Sequence, residues 1–211
     1  HGIPAALFAL VITYLVIGFL KYLLYLPRFV ENTQNFMPWI LALPQILLLL
    51  FVWRSHQSDR NLGFLLEFSS LKNSFYLWVV IYCVLFNILV YVIYQMLVLY
   101  FGIQYLLVPR IPRTILGTGW FVPTNLFAIV IWVPIIEEIF FRGFLLREMA
   151  SRLSWPISIL ITSLIFSLLH GEIGLLVPVF LNSVLISIVY LRLRSLVPVI
   201  IIHAMQNLIV A

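Results

Sequence analysis

Between Ile3 and Leu26 the only charged side chain is Lys21. An α-helix needs about 20 apolar residues, at about 1.5 Å each, to cross a lipid bilayer. Runs of this kind recur along the chain, and they fix its solvent. Lipid cannot satisfy an exposed backbone, so open sheets are excluded and each run must close its hydrogen bonds as a helix. Composition agrees: 64% of the residues are hydrophobic and 9% charged, against about half and a quarter in a soluble domain.

The pattern predicts an all-α, polytopic transmembrane helix bundle of about seven spans in a single domain, residues 1–211. The spans run from Ile3 to Leu26, Phe36 to Trp53, Asn73 to Gly102, Trp120 to Phe141, Pro156 to His170, Ile173 to Leu191 and Leu196 to Val210. The fourth helix is expected to continue to Ala150, and an amphipathic piece is expected from Leu62 to Leu71. Lys21 lies near a span end, where its ammonium can reach the interface. Cys83 is read as a small core residue, with no second cysteine for a disulfide. The chain opens on His1, so a natural N-terminus further upstream is expected.

The basic residues fall between apolar runs and form no stripe that could follow a phosphate backbone, so nucleic acid is not an expected partner. With seven spans, Arg54, Arg60, Lys72, Arg142, Arg147, Arg152, Arg192 and Arg194 share one side, against Arg28, Arg110 and Arg113 on the other. That bias assigns the richer side to the cytoplasm.

Against this background Glu137 and Glu138, two of only seven acidic residues, stand side by side in the fourth run. A charge at bilayer depth costs at least several kcal/mol, so such residues mark function by default. Helical rise places Glu137 about 20 Å, His170 about 24 Å, His203 about 12 Å and Asn207 about 18 Å from the cytoplasmic ends of their helices. Carboxylate, imidazole and amide groups from three helices therefore reach similar depths, as an intramembrane catalytic cavity would require. Glu138 and Arg142, four apart, share a face and suit an ion pair. Glu137 is turned about 100° away, which leaves it as the free carboxylate, suited to act as a general base. His203 and Asn207 are also four apart, and both can donate hydrogen bonds to an oxyanion.

Each feature has a plainer reading when taken alone. Glu138 and Arg142 can fix helix packing. His170 near a helix end is more often a hydrogen-bonded packing residue. Phe166 reads as packing, and His203 and Asn207 can join helices. Their joint occurrence is what points to a site.

The segment Glu137-Glu138-Ile-Phe-Phe-Arg142 resembles the EExxxR motif of the CPBP family, the CAAX proteases and bacteriocin-processing enzymes also called Abi proteins. Phe166 to His170 resembles its FxxxH motif, and His203 to Asn207 its HxxxN motif. The resemblance covers residues 134–207. It implies a glutamate-dependent intramembrane endopeptidase without a catalytic metal or other cofactor. In it Glu137 and His170 would activate the attacking water, and His203 and Asn207 would stabilise the oxyanion, with Glu138 and Arg142 in support. The implied substrate is a membrane-associated protein or peptide, either prenylated at a CAAX end or a small peptide. The implied location is a bacterial plasma membrane, or the endoplasmic reticulum in a eukaryote, with the site open to the cytoplasm. Relatives often carry glycine along the sixth span where this chain has Ser183 and Ser187. Asn182 beside them is a candidate for lining the substrate path, or for joining helices.

Three other functions compete. A zinc protease would use the same residue types, but no HExxH occurs. A non-catalytic assembly or immunity factor could retain the fold. A proton-coupled transporter would need polar groups across the whole bilayer, and the first half of the chain supplies almost none.

Overall fold

A computed structural model describes residues 2–24, 34–55, 74–109 and 113–210, and the expected amphipathic piece from Leu62 to Leu71 lies outside them. Among the described residues the chain is helical, without a strand. Helix α1 is Gly2–Leu24. Helix α2, Met37–Ser55, is interrupted by a tight 3₁₀ turn at Leu43–Gln45. Helix α3 is Ser74–Tyr100. Helix α4 covers 121–150 and changes pitch along its length. Helices α5, α6 and α7 are Trp155–Leu169, Ile173–Leu193 and Leu196–Val210.

Among the described residues four stretches are long and apolar enough to cross a membrane: Gly2–Leu23, Met37–Ser55, Phe75–Tyr100 and Ile173–Leu193. The other three expected spans are helical but differ in kind. Helices α5 and α7 have 15 residues each, about 22 Å, short of a hydrocarbon core of about 30 Å. Helix α4 holds the charged residues and is the central element of the bundle.

Every residue of α4 from Phe140 to Leu146 is buried. A helix apolar on all sides is stable only when surrounded, and two cores surround this one. On one flank Phe140, Phe141 and Phe144 pack with Ala6 and Leu10 of α1, Leu48 and Val52 of α2, and Phe166 of α5. On the other, Leu146 packs with Ile159, Ile186, Val199 and Ile202 of α5, α6 and α7, and with Cys83 of α3, which is a buried core residue as expected. Helices α5 and α6 bury small polar side chains: Ser158, Thr162, Ser163 and Ser167 on α5, Ser183 and Ser187 on α6. Small residues let helix backbones approach closely where no hydrophobic effect drives association.

The turns between the last helices are short and specific. Gly171, at φ +70°, ends α5 directly after His170. Arg194 closes α6 in the left-handed conformation, with its N–H on the Tyr190 carbonyl at 2.7 Å. Ser195 then caps α7 by accepting from the Val197 N–H at 3.4 Å.

Candidate active site

The pitch of α4 sets the site. Two stretches, Ala128–Trp132 and Ile139–Leu145, are wound as π-helix, on either side of an α-helical turn Val133–Glu138. Pro134 accounts for the first. A proline inside a helix has no N–H and clashes with the preceding turn, and widening that turn relieves the clash. The Val133 N–H accordingly reaches five residues back, to the Ala128 carbonyl. In that spacing the Ile129 carbonyl would pair with residue 134, which cannot donate. Asn207 takes it instead: its Nδ2 donates to the Ile129 oxygen at 2.9 Å. The second widened stretch ends where the Leu146 N–H reaches the Phe141 carbonyl, and π-turns of this kind cluster at functional sites.

Both carboxylates lie in the turn between, Glu137 5% and Glu138 0% exposed. Glu138 Oε1 accepts from Arg142 Nη1 at 2.8 Å, the pairing expected from their spacing. The guanidinium is itself buried. Its Nη2 donates to the Ser183 hydroxyl oxygen at 2.7 Å and the Ser183 carbonyl at 3.3 Å, and its carbon stands 4.7 Å from the centre of the Phe166 ring. Ser183, noted in the sequence for its hydroxyl, is thus an acceptor for the buried cation. Ser187 turns its hydroxyl onto the Ser183 carbonyl at 2.8 Å.

His203 stands between the two acids. Its Nδ1 donates to Glu138 Oε1 at 2.8 Å, and its Nε2 faces Glu137 Oε2 at 3.7 Å. The hydrogen bond to Glu138 fixes the ring's tautomer and aims Nε2 at Glu137. Glu137 is therefore not free of partners. Its other oxygen, Oε1, accepts from Gln45 Nε2 of α2 at 3.3 Å, and Tyr14 of α1 is close enough to feel its charge.

Phe166 joins the remaining histidine to the cluster. Its ring meets His170 at 5.0 Å and His203 at 5.8 Å, both edge-on. His170 Nδ1 donates to the Phe166 carbonyl at 2.9 Å. Among the described residues no hydrogen bond joins His170 to Glu137. Asn182, a candidate for the substrate path, pairs reciprocally with Gln206 across α6 and α7, with Gln206 Nε2 donating to Asn182 Oδ1 at 2.8 Å. Both amide groups of that pair are used for joining helices. Sequence reasoning passed over Gln45, Gln206 and the Ile129 carbonyl. A carboxamide inside an apolar run is the signal that could have revealed the first two.

No curated protein and no solved structure matches this chain. Residues 119–209, somewhat under half of it, match the family described as Rce1-like, type II CAAX prenyl endopeptidase. The matched region holds α4 to α7, with the EExxxR, FxxxH and HxxxN residues in the arrangement just described. Over residues 119–209, then, this chain is similar to the Rce1-like type II CAAX prenyl endopeptidases.

Proposed function

We propose that the protein is an intramembrane endopeptidase that hydrolyses a peptide bond of a membrane-associated substrate with water activated by Glu137. The observation that carries this reading is the imidazole of His203 held between two buried carboxylates. Glu138 is already committed to Arg142 and His203, so it serves as an anchor. Glu137 keeps Oε2 for chemistry. A water hydrogen-bonded to that oxygen would sit off the line to His203 Nε2, within reach of both.

In the reaction Glu137 takes one proton from this water as its oxygen attacks the scissile carbonyl carbon. The carbonyl π electrons move to oxygen. That oxyanion is stabilised by N–H donors, from Nε2 of His203 when the ring is doubly protonated and from the N–H of Asn207 that does not hold Ile129. Collapse of the intermediate breaks the C–N bond, and Glu137 returns its proton to the leaving amine. His170 has its Nδ1 proton on the Phe166 carbonyl, which leaves Nε2 as an acceptor for water entering the cluster. No metal enters this scheme. The substrate class follows the family description: a protein or peptide with a prenylated CAAX end, met from the cytoplasmic side of a multi-pass chain.

The test is Glu137→Gln, which keeps size and hydrogen bonding but cannot accept the proton. Turnover should fall about 10²-fold to 10⁴-fold, with unchanged thermal unfolding. Retained turnover would remove Glu137 from the role of base.

A further inference from the structure

Gln45 lies outside the region that matches the family, on a different helix from every motif residue. It is 7% exposed in the middle of a membrane-length helix. Its Nε2 donates to Glu137 Oε1 at 3.3 Å, while its own Oε1 is buried with no hydrogen-bond partner among the described residues. An unpartnered buried carbonyl costs about 1–3 kcal/mol.

The backbone is shaped to deliver this side chain. Helix α2 breaks its α pitch at Leu43–Gln45, where Pro44 has no N–H to give and Ile46 bonds back to Leu43. A 3₁₀ turn inside a longer helix often marks a functional hinge or a strained sequence. Here it ends on Gln45.

We propose that Gln45 is a positioning residue for Glu137, a role that rests on the proteolytic reading above. By donating to Oε1 it stops the carboxylate from rotating and keeps Oε2 turned toward His203 Nε2, 3.7 Å away. Its own carbonyl is the acceptor for the second hydrogen of the attacking water, the one not transferred. That water then gives one proton to Glu137, keeps the other against Gln45, and presents its lone pair to the scissile carbon. No atom or electron is needed beyond those of water and the peptide bond.

Two measurements on the full-length chain in lipid nanodiscs test this. In the first, protein labelled with ¹⁵N-glutamine is compared with its Glu137→Ala variant. The one side-chain amide signal that disappears in Gln45→Leu should move, and an unmoved signal would overturn the contact and the proposal with it. In the second, kcat and KM are measured on an internally quenched peptide with a farnesylated CAAX end. Gln45→Leu should lower kcat about 10²-fold, the size expected when a reacting group is misplaced by about 1 Å, with KM within about twofold. Gln45→Asn, which is too short to hold both oxygens, should behave like Gln45→Leu. Wild-type kcat in Gln45→Leu would overturn the positioning role and leave the protease intact. A wild-type chain that never cuts the peptide would overturn the proteolytic reading and this role together, while the labelled-amide result would still report the contact.

Discussion

Arg142 shows how a single buried charge is made tolerable. Removing a guanidinium from water costs several kcal/mol, recovered only if every strong donor finds a partner. Glu138, the hydroxyl and carbonyl of Ser183, and the face of Phe166 supply those partners. Truncating it should therefore act on stability before chemistry. Arg142→Ala should cost about 3–5 kcal/mol of unfolding free energy by leaving Glu138 buried without its permanent cation. Specific activity of the fraction that remains folded should fall far less, and chemical denaturation beside active-site titration separates the two effects. Ser183→Ala should be milder, about 1.5–3 kcal/mol for one hydrogen bond to a charged group, read in the same denaturation experiment. The sequence displayed the Glu138–Arg142 pair because spacing alone implies it. It could not display His203 against Glu138, since that contact joins residues 65 positions apart and depends on how α7 rotates against α4.

Among the elements, α4 and α7 are coupled at Ile129. Asn207→Ala should leave that carbonyl unsatisfied in the membrane interior, at a cost of about 1–3 kcal/mol. Pro134→Ala restores an N–H at residue 134, so the double variant should regain most of the lost stability in thermal unfolding. It should not regain rate: a loss of about 10²-fold should persist if the second amide proton serves the oxyanion. Recovery of rate along with stability would assign Asn207 to backbone support alone. Helix limits in this part of the chain were legible, with α7 found at Leu196–Val210 as the sequence implies and α6 ending two residues later than expected. The π-turns were not legible, because hydrophobic periodicity is lost in a helix that is apolar on every side. Pro134 in mid-helix was the one available sign.

At the level of the whole molecule, the residues with recognisable motifs are only half of the enclosure. Helices α1 and α2 lie beyond the matched region, yet they supply Tyr14, Gln45 and the apolar wall against Phe140 and Phe144. A fragment restricted to residues 113–211 should therefore lack both a closed core and turnover. Supplying residues 1–112 as a separate chain should restore some of each, measured by protease resistance and peptide cleavage. Chelation tests the metal-independent scheme on the intact protein, and activity should survive EDTA and phenanthroline unchanged. The all-helical architecture was readable because lipid leaves so few alternatives. The contribution of the first two helices was not, since neither carries a charge at the position where it meets the acids.

The widened turn at Ala128–Trp132 has a consequence for how this helix can vary in length. Excising one residue there would let four residues at α pitch cover nearly the turn that five cover now, so the segments on either side would keep their facing. Asn125, whose amide now reaches the Asn35 and Leu116 carbonyls at 2.8 and 3.0 Å, would stay within reach of both. A one-residue deletion in this stretch would therefore be absorbed locally, whereas one in the α-helical turn Val133–Glu138 would rotate everything before it by about 100° and break both contacts.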